Sequence, residues 1–231
     1  MYTRYPPLRE KGNAMKSAQK GFTLIEIAIV LVIIGLLLGG VLKGQSMIEN
    51  AKVKALANEM RGVATMVYAY QDKFRAIPGD DATAQTHLGT TATQASGTTT
   101  GDGRINTGTW VGAATPAATN ESSLFWQHVR LGGLATGNSG SGQATNAVGG
   151  MLGITSNKIF TDTAVTTGSF YVCASGIPNS LAMQLDTAMD DGIANSGGVA
   201  GKAEGGTTIT AATAAGTDYT TADTYTVCMS M

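Results

Sequence analysis

The chain has 231 residues and a formal net charge of −1 at pH 7, with only 13% charged residues and 31 glycines. Residues 1–21 contain five basic residues and one acidic residue, whereas residues 77–231 contain four basic and eleven acidic ones. The acidic composition of the second range argues against binding a nucleic-acid backbone as the main task. The glycine content predicts short strands and many turns rather than a helical bundle.

The first predicted element is the apolar run from Phe22 to Leu42, which follows the basic cluster. As a helix, its 21 residues would extend roughly 30 Å, which is the thickness of a bilayer core. The basic residues keep the amino end in the cytoplasm, and no A-x-A cleavage site directly follows the run. We therefore expect a retained single-pass helix, with the rest of the chain outside the inner membrane.

Glu26 lies inside this run, where a carboxylate is costly unless it is paired or stays hydrated at the interface. The sequence KGFTLIE, residues 20–26, resembles the processing site of type IV prepilins, the class III signal. The resemblance implies that a prepilin peptidase and methyltransferase cuts after Gly21 and methylates the new amine of Phe22. It also implies that Glu26 pairs with this amine on a neighbouring subunit. Such a pair would neutralise both charges and set the stagger between helices.

The same resemblance implies an organisation into a leader (residues 1–21), a long helix (22–76, its first half in the membrane) and a globular head (77–231). A leader of 21 residues is long for a simple pilin. Met15 begins the shorter basic leader MKSAQKG, so we expect translation to start there.

Beyond the membrane run, an apolar stripe at helical spacing predicts that the helix continues to Pro78-Gly79. The stripe contains Leu56, Met60, Val63, Val67, Tyr70 and Phe74, with Ile48, Ala51 and Ala55 extending it backwards. Four glycines interrupt the boundary between the two halves, at Gly35, Gly39, Gly40 and Gly44. We expect this stretch to be the part of the helix that unwinds most readily; close packing of membrane helices is the alternative reason for the glycines.

Residues 77–231 predict an α+β head. Branched and aromatic residues predict strands at 157–161, 168–174 and 223–229, and apolar periodicity predicts helices at 120–134 and 179–192. Polar, low-complexity loops are expected at 90–101 and 135–150. Together with the resemblance, this predicts the pilin fold, in which a long N-terminal helix packs against an antiparallel sheet with short extra helices and long polar loops.

Cys173 and Cys228 are the only cysteines. After an export-like segment they predict one disulfide, and their strands would suit a bridge if they were neighbours in an antiparallel sheet. Two buried free thiols are the alternative. In larger pilin heads, the segment bounded by such a disulfide is exposed.

Three carboxylates, at Asp186, Asp190 and Asp191, precede Gly192. Some related secretion pseudopilins bind calcium in this region, but the spacing matches no EF-hand, and a plain turn is the preferred interpretation. We therefore predict no metal and no cofactor. No catalytic motif is present, and His87 and His128 do not suggest a triad. A histidine such as His128 is expected to be a surface or packing residue.

The prediction is thus a non-enzymatic subunit of a type IV pilus, a homo-oligomeric helical filament on the cell surface. Its partners would be the prepilin peptidase and the pilus assembly platform. A type II secretion pseudopilin or a minor pilin is the nearest alternative, and a membrane-anchored periplasmic enzyme is a remote one.

Overall fold

The computed structural model describes residues 21–111, 114–204, 209, 213–220 and 223–231. Most of the expected leader, including Met15, lies outside the described residues. The chain divides into two compact units, residues 1–45 and 46–231, which are described separately below.

Helix α1 spans Leu24–Phe74 and contributes to both units. In the first unit the described residues from 21 to 42 are exposed, and the helix is long and apolar enough to cross a membrane. The backbone is helical through all four glycines between 35 and 44, so the expected unwinding is not seen. Glycine weakens a helix by about 1 kcal/mol per residue, but the residues between these glycines are mainly leucine, which is a good helix former.

In the second unit α1 forms one wall of the main core. The predicted stripe is confirmed from Leu56 to Tyr70, since its members are buried. The backward extension is wrong at Ile48 and Ala51, which are exposed, whereas Ala55 is half-buried and Val53, which was not predicted, is buried. The helix ends at Phe74, and Arg75 has a left-handed backbone with φ of 57°. Its N–H donates to the Gln71 carbonyl at 2.9 Å.

Within its described residues, the head contains one five-stranded antiparallel sheet in the order β1-β2-β3-β5-β4. Its strands are β1 (Ala144–Thr145), β2 (Met151–Thr155), β3 (Tyr171–Pro178), β4 (Val199–Ala203) and β5 (Thr224–Ser230). With α1 and three shorter helices, this confirms the α+β class and is consistent with the pilin fold. Strands β3 and β5 were predicted, although β3 begins later and ends later than expected.

Strand β1 lies within the segment expected to be a polar loop, 135–150. Strands β2 and β4 were not predicted because each carries a central glycine. Those glycines are required by close contacts from outside the strand. A Cβ at Gly153 would overlap the carbonyl oxygen of Trp110, and a Cβ at Gly201 would overlap the ring of Tyr219. The glycine that weakens a strand locally is thus the residue that admits a neighbouring segment.

The strand predicted at 157–161 is wrong. Among the described residues, this segment forms no strand, and Phe160 makes an isolated bridge with Thr213. Ile159 and Phe160 are nevertheless buried, in a second apolar cluster with Trp110 and Val165. Their branched and aromatic side chains therefore fill a core from a loop, without a strand ladder.

The sheet is covered on both faces. Along β3, Val172 and Ala174 belong to the main core with α1, whereas Tyr171 and Cys173 belong to the second cluster. Alternate residues of a strand point to opposite faces, so the second cluster lies on the face away from the main core.

The shorter helices are α2 (Ala84–Leu88), α3 (Glu121–Leu131) and α4 (Asn179–Met189). The predictions of α3 and α4 are confirmed with shorter C-terminal ends. Helix α3 begins at a cap in which the Asn120 side chain accepts from the Ser123 N–H at 3.0 Å. Every residue from Glu121 to Val129 is buried, which makes α3 an internal element of the head.

Cys173 and Cys228 face each other in the register of β3 and β5 and form a disulfide across a 55-residue separation. Both residues are buried, at 0% and 3% exposure. The bridge therefore lies inside the second cluster and joins the central strand β3 to its neighbour β5.

We expect reduction of this disulfide to lower the free energy of unfolding by about 4 kcal/mol, because an unfolded chain without the bridge gains loop entropy. The measurement is urea unfolding of the full chain in detergent micelles, followed by tryptophan fluorescence with and without reductant. The double variant Cys173→Ala/Cys228→Ala is the control and should be insensitive to reductant. A loss below about 1 kcal/mol in the parent would contradict the prediction.

Candidate functional site

The start of α1 holds the residues singled out from the sequence, within Gly21–Glu26. Residues 21–23 precede the helix and are exposed, so the Gly21–Phe22 peptide bond lies in non-helical, accessible chain. Glu26 lies in the first helical turn. The described residues thus place an exposed, non-helical segment directly before a helix with a carboxylate in its first turn.

Thr23 and Glu26 bind each other reciprocally. Oε2 of Glu26 accepts from both the backbone N–H and the hydroxyl of Thr23, each at 2.7 Å. In return, the Glu26 N–H donates to Thr23 Oγ1 at 3.3 Å. This is a capping box, in which residues three apart satisfy amide groups that the helix itself leaves unpaired.

The capping box gives Glu26 a partner within its own chain, which the sequence analysis missed. The signal was present in the spacing Thr23-Leu24-Ile25-Glu26, the S/T-x-x-E pattern that marks a helix start. The positive end of the helix dipole also favours a carboxylate here. Because the apolar phase of a bilayer offers no hydrogen bonds, pairing these groups locally lowers the free energy of the helix end.

Only Oε2 of Glu26 takes part in these bonds, and in the described part of the chain Oε1 accepts none. A carboxylate oxygen can accept more than one hydrogen bond. The arrangement therefore leaves an acceptor, and the negative charge, available to a cation from outside the chain.

The acidic residues predicted to form a turn do come together in the head. Asp186, Asp190 and Asp191 have carboxylate oxygens within 4.8 Å of one another. Asp186 is buried, and its carboxylate accepts from the Tyr219 hydroxyl at 2.5 Å and from the Gly192 N–H at 3.1 Å. Burial raises the pKa of the Asp186 carboxyl, although these hydrogen bonds oppose the rise.

The other two carboxylates hold the connection between α4 and β4. Asp190 accepts from the N–H groups of Gly198 and Val199. Asp191 accepts from the Ile193 N–H at 2.8 Å and from the Ser196 hydroxyl at 2.6 Å. These bonds are those of a carboxylate-stabilised turn, the interpretation preferred from the sequence.

His87 and His128 belong to a polar network at the end of α1. The buried Asp81 carboxylate lies 2.6 Å from His87 Nδ1 and accepts from the Tyr70 hydroxyl at 2.8 Å. Burial acts to raise the pKa of Asp81, but hydrogen bonds from His87, Tyr70 and Thr83 outweigh it and lower the pKa.

His128 is fully buried and is a packing residue, as expected. Its Nδ1 accepts from the Gly79 N–H at 3.0 Å, and its Nε2 lies 2.8 Å from the Thr93 carbonyl oxygen. Burial lowers the pKa of His128, which favours the neutral ring that these two bonds require. The network therefore fastens the segment after α1 to α3.

Comparison with protein families finds one match, in the amino-terminal part of the chain. Residues 16–42 match the family model of the prokaryotic N-terminal methylation motif. The match covers Lys16 and Lys20, the capping box and the whole apolar run. No curated protein matches the chain.

We expect Thr23→Val to speed hydrogen exchange of the Glu26 amide at least about fivefold, which corresponds to the loss of about 1 kcal/mol of capping energy. The measurement is amide exchange of the full chain in detergent micelles, followed by NMR. Thr65→Val is the control, because the Thr65 hydroxyl donates to the Arg61 carbonyl inside the same helix and caps nothing. Equal exchange rates of the Glu26 amide in the Thr23→Val and Thr65→Val proteins would contradict the capping role.

We expect Asp186→Asn and Asp191→Asn to respond to pH with opposite signs. Because the native pKa of Asp186 is raised above 3.8, its charge opposes folding. The parent should therefore gain stability relative to Asp186→Asn as the pH falls towards 3.8, by about 1.4 kcal/mol per pH unit between the native and unfolded pKa values.

Hydrogen bonds from the Ser196 hydroxyl and then the Ile193 N–H lower the native pKa of Asp191. The parent should therefore lose stability relative to Asp191→Asn as the pH falls through that lowered value. Urea unfolding of the three proteins between pH 7 and pH 3 measures both differences. A common sign for the two variants would contradict the assignment.

Proposed function

We propose that this chain, a type IV pilin-like or pseudopilin precursor by its methylation motif, is the structural subunit of a type IV pilus. The precursor is held in the inner membrane by α1, is cut after Gly21 and is methylated on the amine of Phe22. It then polymerises through its apolar helix into an extracellular filament. The observation that carries this proposal is the exposed apolar helix that begins with the Thr23–Glu26 capping box, directly after an accessible Gly21–Phe22 bond.

The apolar half of α1 supports polymerisation through its exposed surface. Side chains such as Leu31, Leu36 and Leu42 are 64%, 73% and 67% exposed. Lipid covers them in the precursor, but a subunit that leaves the membrane must cover them again, because apolar surface in water is unfavourable at about 25 cal/mol per Å². Sister helices of other subunits have the matching surface.

The carboxylate of Glu26 supports a defined register between these helices. After cleavage, the new amine of Phe22 would carry a positive charge, and Oε1 of Glu26 on a neighbouring helix would accept from it. Both charges are costly in an apolar bundle unless they are paired. The pair would therefore favour one axial stagger over others, while burial of apolar surface supplies most of the affinity.

In this proposal, residues 1–21 form the leader, 22–76 the long helix and 77–231 the head. The prepilin peptidase carries out cleavage and methylation, so this chain is a substrate of that enzyme and has no catalytic role. The assembly platform extracts the processed subunit. The filament is then built from many identical copies of this chain.

A pseudopilin of a type II secretion system is the second candidate, because its precursors carry the same kind of motif. The two candidates differ in where the polymer accumulates and in how many copies it holds. Abundant surface fibres of this chain favour the pilus, whereas a short periplasmic polymer favours the pseudopilin.

We expect sheared surface fibres from cells that express the parent chain with a pilus machinery to contain it as the main component, with methylated Phe22 at its amino end. Mass spectrometry of the first peptide measures this. Glu26→Ala should be processed but should reduce the fibre yield at least about tenfold, the equivalent of 1.4 kcal/mol in assembly.

The matched control is Glu49→Ala, which removes an exposed carboxylate of the same helix beyond the apolar run. This variant should assemble like the parent. If Glu26→Ala is processed and assembles as well as Glu49→Ala, the pairing role of Glu26 is wrong. If the parent gives no fibres, the pilus function itself is wrong.

A further inference from the structure

The segment of residues 77–93, which follows α1 and includes α2, is seated on α3. Gly79 has a positive φ of 97°, and a Cβ there would overlap the carbonyl oxygen of Glu121 at the start of α3. The backbone at Gly79 therefore touches the backbone of α3. Farther along the segment, the Thr93 N–H donates to Oε1 of Gln127, also on α3, at 2.8 Å.

His128 of α3 holds both ends of this segment. Its ring is fully buried, and Nδ1 accepts from the Gly79 N–H at 3.0 Å. Nε2 lies 2.8 Å from the Thr93 carbonyl oxygen. An amide N–H can only donate and a carbonyl oxygen can only accept, so Nδ1 must be unprotonated and Nε2 must carry the proton. The two bonds therefore require one neutral tautomer of the ring.

Protonation of His128 is incompatible with this arrangement. A second proton, on Nδ1, would point at the Gly79 N–H, so two donors would face each other and their hydrogen bond would be lost. The ring would then be a buried charge without an acceptor for its new N–H, which is costly. A protonated His128 therefore favours a structure in which residues 77–93 have moved away from α3 and water reaches the ring.

Among the described residues, the groups that face His128 offer no replacement acceptor. The Tyr70 ring of α1 lies nearly parallel to the imidazole, with the two centroids 6.1 Å apart. The negative charge of Asp81 favours the protonated ring, whereas the charge of His87 on α2 opposes it. Oδ1 of Asp81 already accepts two hydrogen bonds from Thr83. Its Oδ2 is engaged by Tyr70 and His87, so this carboxylate is fully occupied.

We propose that His128 is an acid-sensitive lock, which holds residues 77–93 on α3 while its ring is neutral and releases them when the ring is protonated. Burial is the main cause that lowers the pKa of His128 below its usual 6.5 in the closed structure. In an open structure the ring would be hydrated and would bind a proton more readily, so acid favours opening. This inference does not rest on the proposed filament.

The first test determines the protonation of the histidine rings by nitrogen-15 NMR of the full chain in detergent micelles. His87→Gln assigns the signals, because the chain has two histidines. At pH 7.5 we expect His128 to carry a proton on Nε2 alone, and on acidification it should stay neutral below pH 6.5. A proton on Nδ1 at pH 7.5, or titration at pH 6.5 or above, would overturn the lock.

The second test measures amide exchange of Gly79 at pH 7.5 and at pH 5, with each rate divided by the intrinsic rate at that pH. Between these values we expect opening at Gly79 to increase at least about fivefold, because the open state gains a proton. The control is the Leu134 amide, which donates to the Val129 carbonyl at 2.8 Å and should not respond. An increase at Gly79 no larger than that at Leu134 rules out a local lock.

The matched variants are His128→Gln and His87→Gln. Glutamine can accept through its oxygen and donate through its amide, but it does not titrate. His128→Gln should therefore abolish the acid response of the Gly79 amide, whereas His87→Gln should retain it. A response that persists in folded His128→Gln protein, or that disappears in His87→Gln, overturns the assignment to His128. If His128→Gln does not fold, the two tests on the parent chain still decide.

Discussion

Hydrogen bonds between Thr23 and Glu26 allow a carboxylate to lie at the start of an apolar helix. A helix in a bilayer must satisfy its first amide groups without help from its surroundings, and the capping box does so within four residues. Among the described residues, the same geometry uses only one oxygen of Glu26 and brings no cation to its carboxylate. In the proposed filament, this charge would favour a cation at a fixed height on the helix.

The head depends on the second half of the same helix. The buried side chains from Val53 to Tyr70 form one wall of the main core, against one face of the sheet. The other face is covered by loop residues such as Trp110 and Phe160, with the disulfide among them. The long loops therefore cover the second face of the sheet. Their apolar residues stabilise that face as α1 stabilises the first one.

Several acidic residues of the head hold its loops in place, which the net charge of the chain does not reveal. Asp80, Asp81, Glu121 and Asp186 are buried. Asp80 accepts from the N–H groups of Gly101 and Gly103, and Glu121 accepts from those of Asn106 and Thr107. Loops rich in glycine have few side chains with which to hold themselves, so carboxylates from neighbouring elements anchor their backbone. Part of the negative charge counted in the sequence is thus inside the head, and the surface is less acidic than composition suggests.

The sequence by itself determined the membrane helix, the processing motif, the buried stripe of α1, helices α3 and α4, and the strands around both cysteines. These features depend on local periodicity or on contiguous residues, which a sequence displays directly. The S/T-x-x-E spacing of Thr23 and Glu26 is equally visible in the sequence. It also marks a helix cap, which was not predicted.

Only the tertiary structure decided the remaining strands and the loops that cover the second face of the sheet. Strands β2 and β4 contain glycines whose purpose is to admit Trp110 and Tyr219 from distant parts of the chain, and local propensity counts those glycines against a strand. Ile159 and Phe160 look like strand residues but pack from a loop. In each case the deciding contact joins residues far apart in sequence, and its free energy exceeds the local preference of about 1 kcal/mol that a sequence pattern expresses.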